Sequence, residues 1–285
     1  MSQHVEALPD HPKAESHHVR AMPDHAKTIP GHVEIADSNA TVDGKTIAQW
    51  TQDWLRWVAH APADTPPGTP FGPAVDDIVG SPDYALVDNT GPVFFLYGGD
   101  WGTPSSADPT IPTIDVPACK PILVPLINAF DIDGPGIETI PGFVESGRGT
   151  YADEARYVTH LAEKSIYEAH LTVTASDGHT VLDLHGPATA CLTQDTGTFA
   201  LGDSLANPSD YIATILGTAD NTLPFTEEIG RWAMITGLAP GDYTINFGGK
   251  GHAVTDPVTG TALFHGADGG TSDWMTNTTD HLHVG

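Results

Sequence analysis

Basic residues are scarce: 11 Lys and Arg stand against 37 Asp and Glu, a formal charge of −26 over 285 residues. A field of that sign repels phosphate backbones and argues against nucleic acid as a partner, while it draws cations. Cysteine is almost absent, with only Cys119 and Cys191. Two cysteines make no disulfide framework, and their spacing fits no zinc motif. Either they pair across a long loop or they stay as separate thiols. Long apolar runs are missing too. The longest, Pro121 to Phe130, is far short of the ~20 residues a membrane helix needs, so no membrane span is expected. The opening MSQHVEALPDHPK has no charged segment followed by an apolar one, so no N-terminal signal peptide is read there. A cytosolic protein, a trimmed leader and export by a signal elsewhere are all open. Acidity, few cysteines and a Gly/Asp-rich, Lys-free C-terminus are compatible with leaderless bacterial export.

Glycine (30) and proline (24) are plentiful, as in chains of short strands and turns, and 39% apolar residues suffice for a core. Residues 1–37 carry no apolar periodicity and many Pro, His, Asp and Glu, the composition of a disordered tail. Inside it a ten-residue block repeats. His4-Val5-Glu6-Ala7-Leu8-Pro9-Asp10-His11-Pro12-Lys13 returns as His18-Val19-Arg20-Ala21-Met22-Pro23-Asp24-His25-Ala26-Lys27, and a third copy starts at His32-Val33-Glu34, each 14 residues on. Units this short do not stack into a solenoid. They read as repeated docking tags for this chain itself or another extracellular protein, as loose metal capture by His4, His11, His17, His18, His25 and His32, or as a duplicated linker.

From residue 38 to 285 a single domain is expected. Asp43 to His60 reads as a helix capped by Asp43, with Trp50, Trp54 and Trp57 on one stripe that belongs in the core. A strand is expected at Pro92–Tyr97. The run Ile114–Ile127 reads as an edge strand or two short strands, because its prolines bar it from a central regular one. Tyr151–His170 reads as an amphipathic helix, with Ala155, Val158, Ala162, Ile166 and Ala169 on its apolar stripe and His160, Glu163, Tyr167 and His170 on its polar one. Leu171–Leu184 reads as a hairpin turning at Ser176-Asp177-Gly178, with further strands at Thr198–Leu201, Arg231–Leu238, Asp242–Phe247 and Thr261–Phe264. Short strands without βαβ alternation predict a mainly β fold: an antiparallel, jelly-roll-like β-sandwich with one or two packed helices.

Four blocks carry a resemblance. Asp43-Gly44-Lys45-Thr46 with the Trp helix, Gly91–Leu96, Val116-Pro117 through Asn128, and Leu238–Gly249 resemble, in the same order, a group of uncharacterised and mostly exported bacterial proteins. The resemblance implies a β-rich fold and an extracellular or cell-surface setting, and no activity.

Several constellations suggest chemistry. Gly202-Asp203-Ser204-Leu205 matches the nucleophile block of GDSL-type esterases, and Asp280-His281-Leu282-His283 offers the rest of a triad, making Ser204, Asp280 and His283 catalytic candidates. The order of elements between them is antiparallel, unlike that family's α/β domain. Asp131, Asp133 and Glu138 alternate around Gly134 like a short Ca²⁺ loop, though not an EF-hand. Asp268 and Asp273 flank a second such turn. His179, Asp183 and His185 share one strand face, which either holds a metal, joined by His252, His265, His281 or His283, or is a solvated face. The leading expectation is an extracellular, non-enzymatic binding or structural protein, docking or self-assembling through its tail and binding Ca²⁺. The alternative is a metal-dependent or esterase-type hydrolase.

Overall fold

The computed structural model describes residues 33–59, 89–97, 113–201, 225–266 and 272–285. In chain order the elements are β1 (Glu34–Ile35), β2 (Thr41–Val42), β3 (Lys45–Thr46), α1 (Ile47–Ala59), β4 (Phe94–Phe95), β5 (Thr113–Val116), β6 (Ile122–Asp133), α2 (Tyr151–Ser165), β7 (Ile166–Ala175), β8 (Thr180–His185), a 3₁₀ turn (Gly186–Leu192), β9 (Thr193–Asp195), β10 (Phe199–Ala200), β11 (Phe225–Thr236), β12 (Gly241–Gly251), β13 (Val254–Thr255), β14 (Ala262–Phe264) and β15 (Trp274–Val284).

The mainly β sandwich predicted from the sequence is what forms. One sheet runs β1-β11-β6-β4, with β9 and β10 also on β11; the other runs β5-β15-β12-β7-β8. Ladders are antiparallel except for two short edge pairs, β4 with β6 and β5 with β15. Ile122, Val124 and Leu126 of β6 and Ala233 and Ile235 of β11 meet Leu171, Val173, Ile245, Phe247 and Leu282 of the second sheet in one core. On the other face of the first sheet, Trp50, Trp54 and Trp57 of α1 pack with Leu123, Trp232 and Met234. The tryptophan stripe is core. Two of its indole N–H groups reach carbonyls, Trp54 donating to that of Leu96 at 2.6 Å and Trp50 to that of Val42 at 2.8 Å.

Three local expectations change. Asp43 does not cap α1: Asp43 and Gly44 both have positive φ (48° and 80°) and form the two-residue turn between β2 and β3. Thr46 is the cap, its hydroxyl accepting from Gln49 N–H at 3.2 Å while Gln49 Oε1 accepts from Thr46 N–H at 2.9 Å. Pro125 sits inside β6, a central strand. The ladder slips there, pairing Arg231 with Ile127 but Trp232 with Pro125, so Leu126 is an extra residue and the strand's facing reverses beyond it. The Leu126 carbonyl accepts from Thr276 Oγ1 of the opposite sheet at 3.1 Å. Lastly, α2 stops at Ser165 and the chain continues directly as β7. Tyr167 and His170 therefore stand on a strand, where the Ala-rich spacing had read as further helix.

Strand β15 had no clear signal in the sequence. Its inward positions include Thr276, Thr278 and Asp280, all buried, so it lacks the apolar alternation that marks a half-buried strand. At its start Trp274 lies over Gly251, where any Cβ would run into the indole ring. Among the described residues no helix is long and apolar enough to cross a membrane.

Candidate functional site

Two features of the first sheet stand out beyond its packing. One is the β11 edge. Val33, Glu34 and Ile35 belong to the third copy of the tail repeat, and Glu34–Ile35 is strand β1, paired to β11 at Thr236 and Ile235. Ala36 N–H continues the ladder to the Met234 carbonyl at 2.9 Å. Val33 and Ile35 pack on the inter-sheet core and Ala36 on the α1 cluster. The sheet thus starts before the boundary expected at residue 38. Copies one and two, within residues 1–32, lie outside the described residues.

The other feature lies where α2 crosses the inner face of β11. Strand alternation puts Glu227, Ile229, Arg231, Ala233 and Ile235 on that face. Glu227 is wholly buried there. Its Oε1 is 3.1 Å from His160 Nε2 on α2, and the same nitrogen is 3.5 Å from Asp195 Oδ2 on β9. The ligand atoms of His160, Asp195 and Glu227 all lie within 4.8 Å of one another, and no other group of three His, Cys, Asp or Glu does so among the described residues. His160 was visible in the sequence as part of a polar helix stripe. Asp195 and Glu227 were not, since 67 residues separate His160 from Glu227 and no local spacing reports the meeting.

Beside this group, across the ladder from Glu227 and Phe225, stand Asp131 and Asp133. These are the residues expected to form a Ca²⁺ loop with Glu138. They point under α2 and are buried, whereas Glu138 turns away and accepts from Gly142 N–H at 2.9 Å. The three do not converge; the chain instead closes through a Gly134–Ile137 bridge. Burial, with Asp131 adjacent, pushes the Asp133 carboxyl up to about 9, and burial pushes Asp131 to about 6. Glu154 of α2, buried next to them, is raised to about 7, mainly by desolvation. Asp131 and Asp133 hydrogen-bond each other through their side chains, and Glu154 Oε2 is buried without a hydrogen-bond partner. At neutral pH Asp133 keeps its proton, while Asp131 and Glu154 are held above the ordinary carboxylate range by burial.

The remaining candidates are dispersed. Ser204 and Asp268 lie outside the described residues. Asp280 and His283 are three apart on β15, hence on opposite faces: Asp280 is buried between the sheets, where desolvation raises its carboxyl to about 7. His283 is exposed, with Nδ1 2.6 Å from Asp242 Oδ1. His179 is exposed in the β7–β8 turn, its N–H on Asp177 Oδ1 at 2.9 Å. Asp183 and His185 do share the outer face of β8, His185 Nε2 lying 2.6 Å from Asp183 Oδ1, and His185 stacks on His170 with ring centroids 6.1 Å apart. The other histidines do not join them: His252 is held by Asp273 at 3.3 Å, His281 by Thr244 at 3.1 Å and His265 by the Gly266 carbonyl at 2.7 Å. Cys119 and Cys191 are both free and exposed. Comparison with protein-family models, curated proteins and solved structures returns no match.

Proposed function

We propose that this chain is an extracellular, non-enzymatic binding or structural protein that assembles with other copies of itself by strand addition, upstream repeat copies taking the place that the third copy takes as β1. The observation that carries the reading is that part of the repeat already is a strand on the β11 edge. An extended segment adds to a sheet edge through main-chain hydrogen bonds, with alternate side chains filling pockets on its two faces. Aligned on Val33-Glu34-Ile35-Ala36, the other copies read Val5-Glu6-Ala7-Leu8 and Val19-Arg20-Ala21-Met22. Val stays on the inner face, and the large and small residues at the next two core positions change places. No proline falls where a ladder N–H is needed, since Pro9 and Pro23 align with Asp37.

The strand that must be displaced is short. β1 has two paired residues and one further N–H, so exchange between chains breaks little and each displaced β1 can in turn add to a neighbour. Two extra copies in tandem raise the local concentration of competing strands. Strong acidity keeps such an assembly soluble and tunes it to ionic strength.

Sedimentation of the full chain over a range of concentrations tests this. The wild type is expected to self-associate. A full-length Leu8→Pro/Met22→Pro variant, which lacks the N–H groups equivalent to that of Ala36, is expected to sediment as a monomer with an unchanged melting temperature. A wild type that is monomeric throughout, or a variant with the same distribution of sizes, refutes strand addition.

A further inference from the structure

We propose that His160, Asp195 and Glu227 form a binding site for a first-row transition-metal ion, zinc in class, which ties helix α2 to strands β9 and β11. The two distances from His160 fit that ion, and the third pair of ligand atoms lies within 4.8 Å. Ligands at ~2.0–2.2 Å from a tetrahedral Zn²⁺ are ~3.3–3.5 Å apart. His160 Nε2 lies 3.1 Å from Glu227 Oε1 and 3.5 Å from Asp195 Oδ2, close to a tetrahedral edge on both sides.

Each carboxylate is oriented by its other oxygen. Glu227 Oε2 accepts from the Thr198 hydroxyl at 2.8 Å and faces Arg156 Nε at 3.5 Å, which leaves Oε1 turned toward His160. Asp195 Oδ1 accepts from Gly197 N–H at 2.8 Å, which leaves Oδ2 turned the same way. Such outer partners aim ligands at a metal and raise its affinity. Three separate elements meet here, and Glu227 brings a carboxylate to a wholly buried position, where a carboxylate needs a positive partner. Arg156 supplies one on the Oε2 side; on the Oε1 side a metal ion held with His160 serves the Glu227 and Asp195 carboxylates at once.

The donor set selects the class of ion. One imidazole nitrogen with two carboxylates suits zinc, iron, nickel or copper, whereas Ca²⁺ and Mg²⁺ ask for six or more oxygens. Three protein ligands leave one tetrahedral position open. It lies on the solvent side, the His160 and Asp195 side chains being 36% and 45% exposed, where a water would complete the coordination of a bound ion. This site is independent of strand addition, which involves the opposite end of β11.

The tail histidines bind metal loosely and would mask the signal, so the test uses a full-length chain with His4, His11, His17, His18, His25 and His32 replaced by Ala. Titration with Co²⁺, read by its visible absorption, is expected to show one tightly bound ion displaced by Zn²⁺ and not by Ca²⁺. Asp195 is exposed and its substitution leaves the core intact. Asp195→Asn in the same background is expected to weaken Co²⁺ binding at least ~10-fold without changing the melting temperature of the metal-free protein. Absence of a bound ion, affinity unaltered by Asp195→Asn, or equal displacement by Ca²⁺ overturns the assignment.

Discussion

Helices α1 and α2 cover opposite faces of the same sheet, and they do so by different physics. Under α1 the sheet presents Leu123, Trp232 and Met234 to three tryptophans, with Trp54 and Trp232 edge to face at 5.0 Å. The polar side chains on that face include Asn128 and Glu228, whose carboxyl burial raises well above the ordinary range and which takes a hydrogen bond from Asn128 at 2.6 Å. Under α2 the sheet presents Ala129 and Ile127, then Asp131, Asp133 and Glu227, and the helix answers with Val158 and Ala162 but also Glu154 and His160. One face is stabilised by area removed from water. The other keeps buried ionisable groups whose state depends on protons and cations. A polar stripe on a helix therefore need not be its wet side; on α2 part of it roofs an acidic floor.

The largest effect expected from this contrast is on the α1 side. Trp54→Ala empties a buried site between Tyr97, Trp232 and the sheet and is expected to cost about 3–5 kcal/mol, read by urea unfolding with an unchanged slope. A cost near zero would show that this face is not a packed core.

The α2 side is expected to respond to pH instead. Asp133 and Glu154 hold protons in the folded state, at about 9 and about 7, that the unfolded chain gives up near pH 4. Their contribution is full below about pH 4 and is lost as pH rises through about 7 to 9. Asp256 acts in the opposite sense. Its bidentate pair with Arg148, both contacts 2.8 Å, holds it far below the usual carboxylate range, so its contribution is present above about pH 4 and lost below. Melting temperature is therefore expected to peak in mild acid and to fall between about pH 5 and about pH 8. Asp133→Asn keeps the oxygen that accepts Thr139 N–H at 3.1 Å and gives Asp131 a donor. The variant is expected to raise the melting temperature at about pH 8 and flatten the decline. A steeper decline would mean that the charged carboxylate is the stabilised form.

The smallest effect is expected where an acid is exposed. Asp183 pairs with His185 and Thr172 on the open face of β8, and Asp183→Ala is expected to change stability by less than about 0.5 kcal/mol. A loss comparable to that of Trp54→Ala would make the outer face of the second sheet a structural site.

Much of the fold could be read locally. The apolar stripe of Ile47, Trp50, Trp54 and Val58, the β7–β8 hairpin at Asp177-Gly178 and the alternation in β12 are signals of period 3.6 or 2 within a few turns of chain. The misses share a cause. Pro125 in a central strand is tolerable only because Leu126 bulges and Thr276, 150 residues away, takes up its carbonyl. Strand β15 hides because three of its inward residues, Thr276, Thr278 and Asp280, are polar and interrupt the apolar alternation of Trp274, Leu282 and Val284. Asp131 and Asp133 were spaced as ligands of a loop, but they belong to a strand whose facing that bulge reverses, which puts them under α2.

By itself the sequence determined the class of the fold, the burial of the tryptophan helix, the repeat and the strong negative field, since composition, short-range period and self-similarity are properties of the chain alone. The tertiary structure alone decided that Glu34–Ile35 of the third repeat copy form a strand, that Asp280 and His283 part company across a sheet, and that His160, Asp195 and Glu227 meet. Those facts depend on register and on contacts between distant segments, and a pattern of neighbours along the chain does not encode which distant residue will stand opposite.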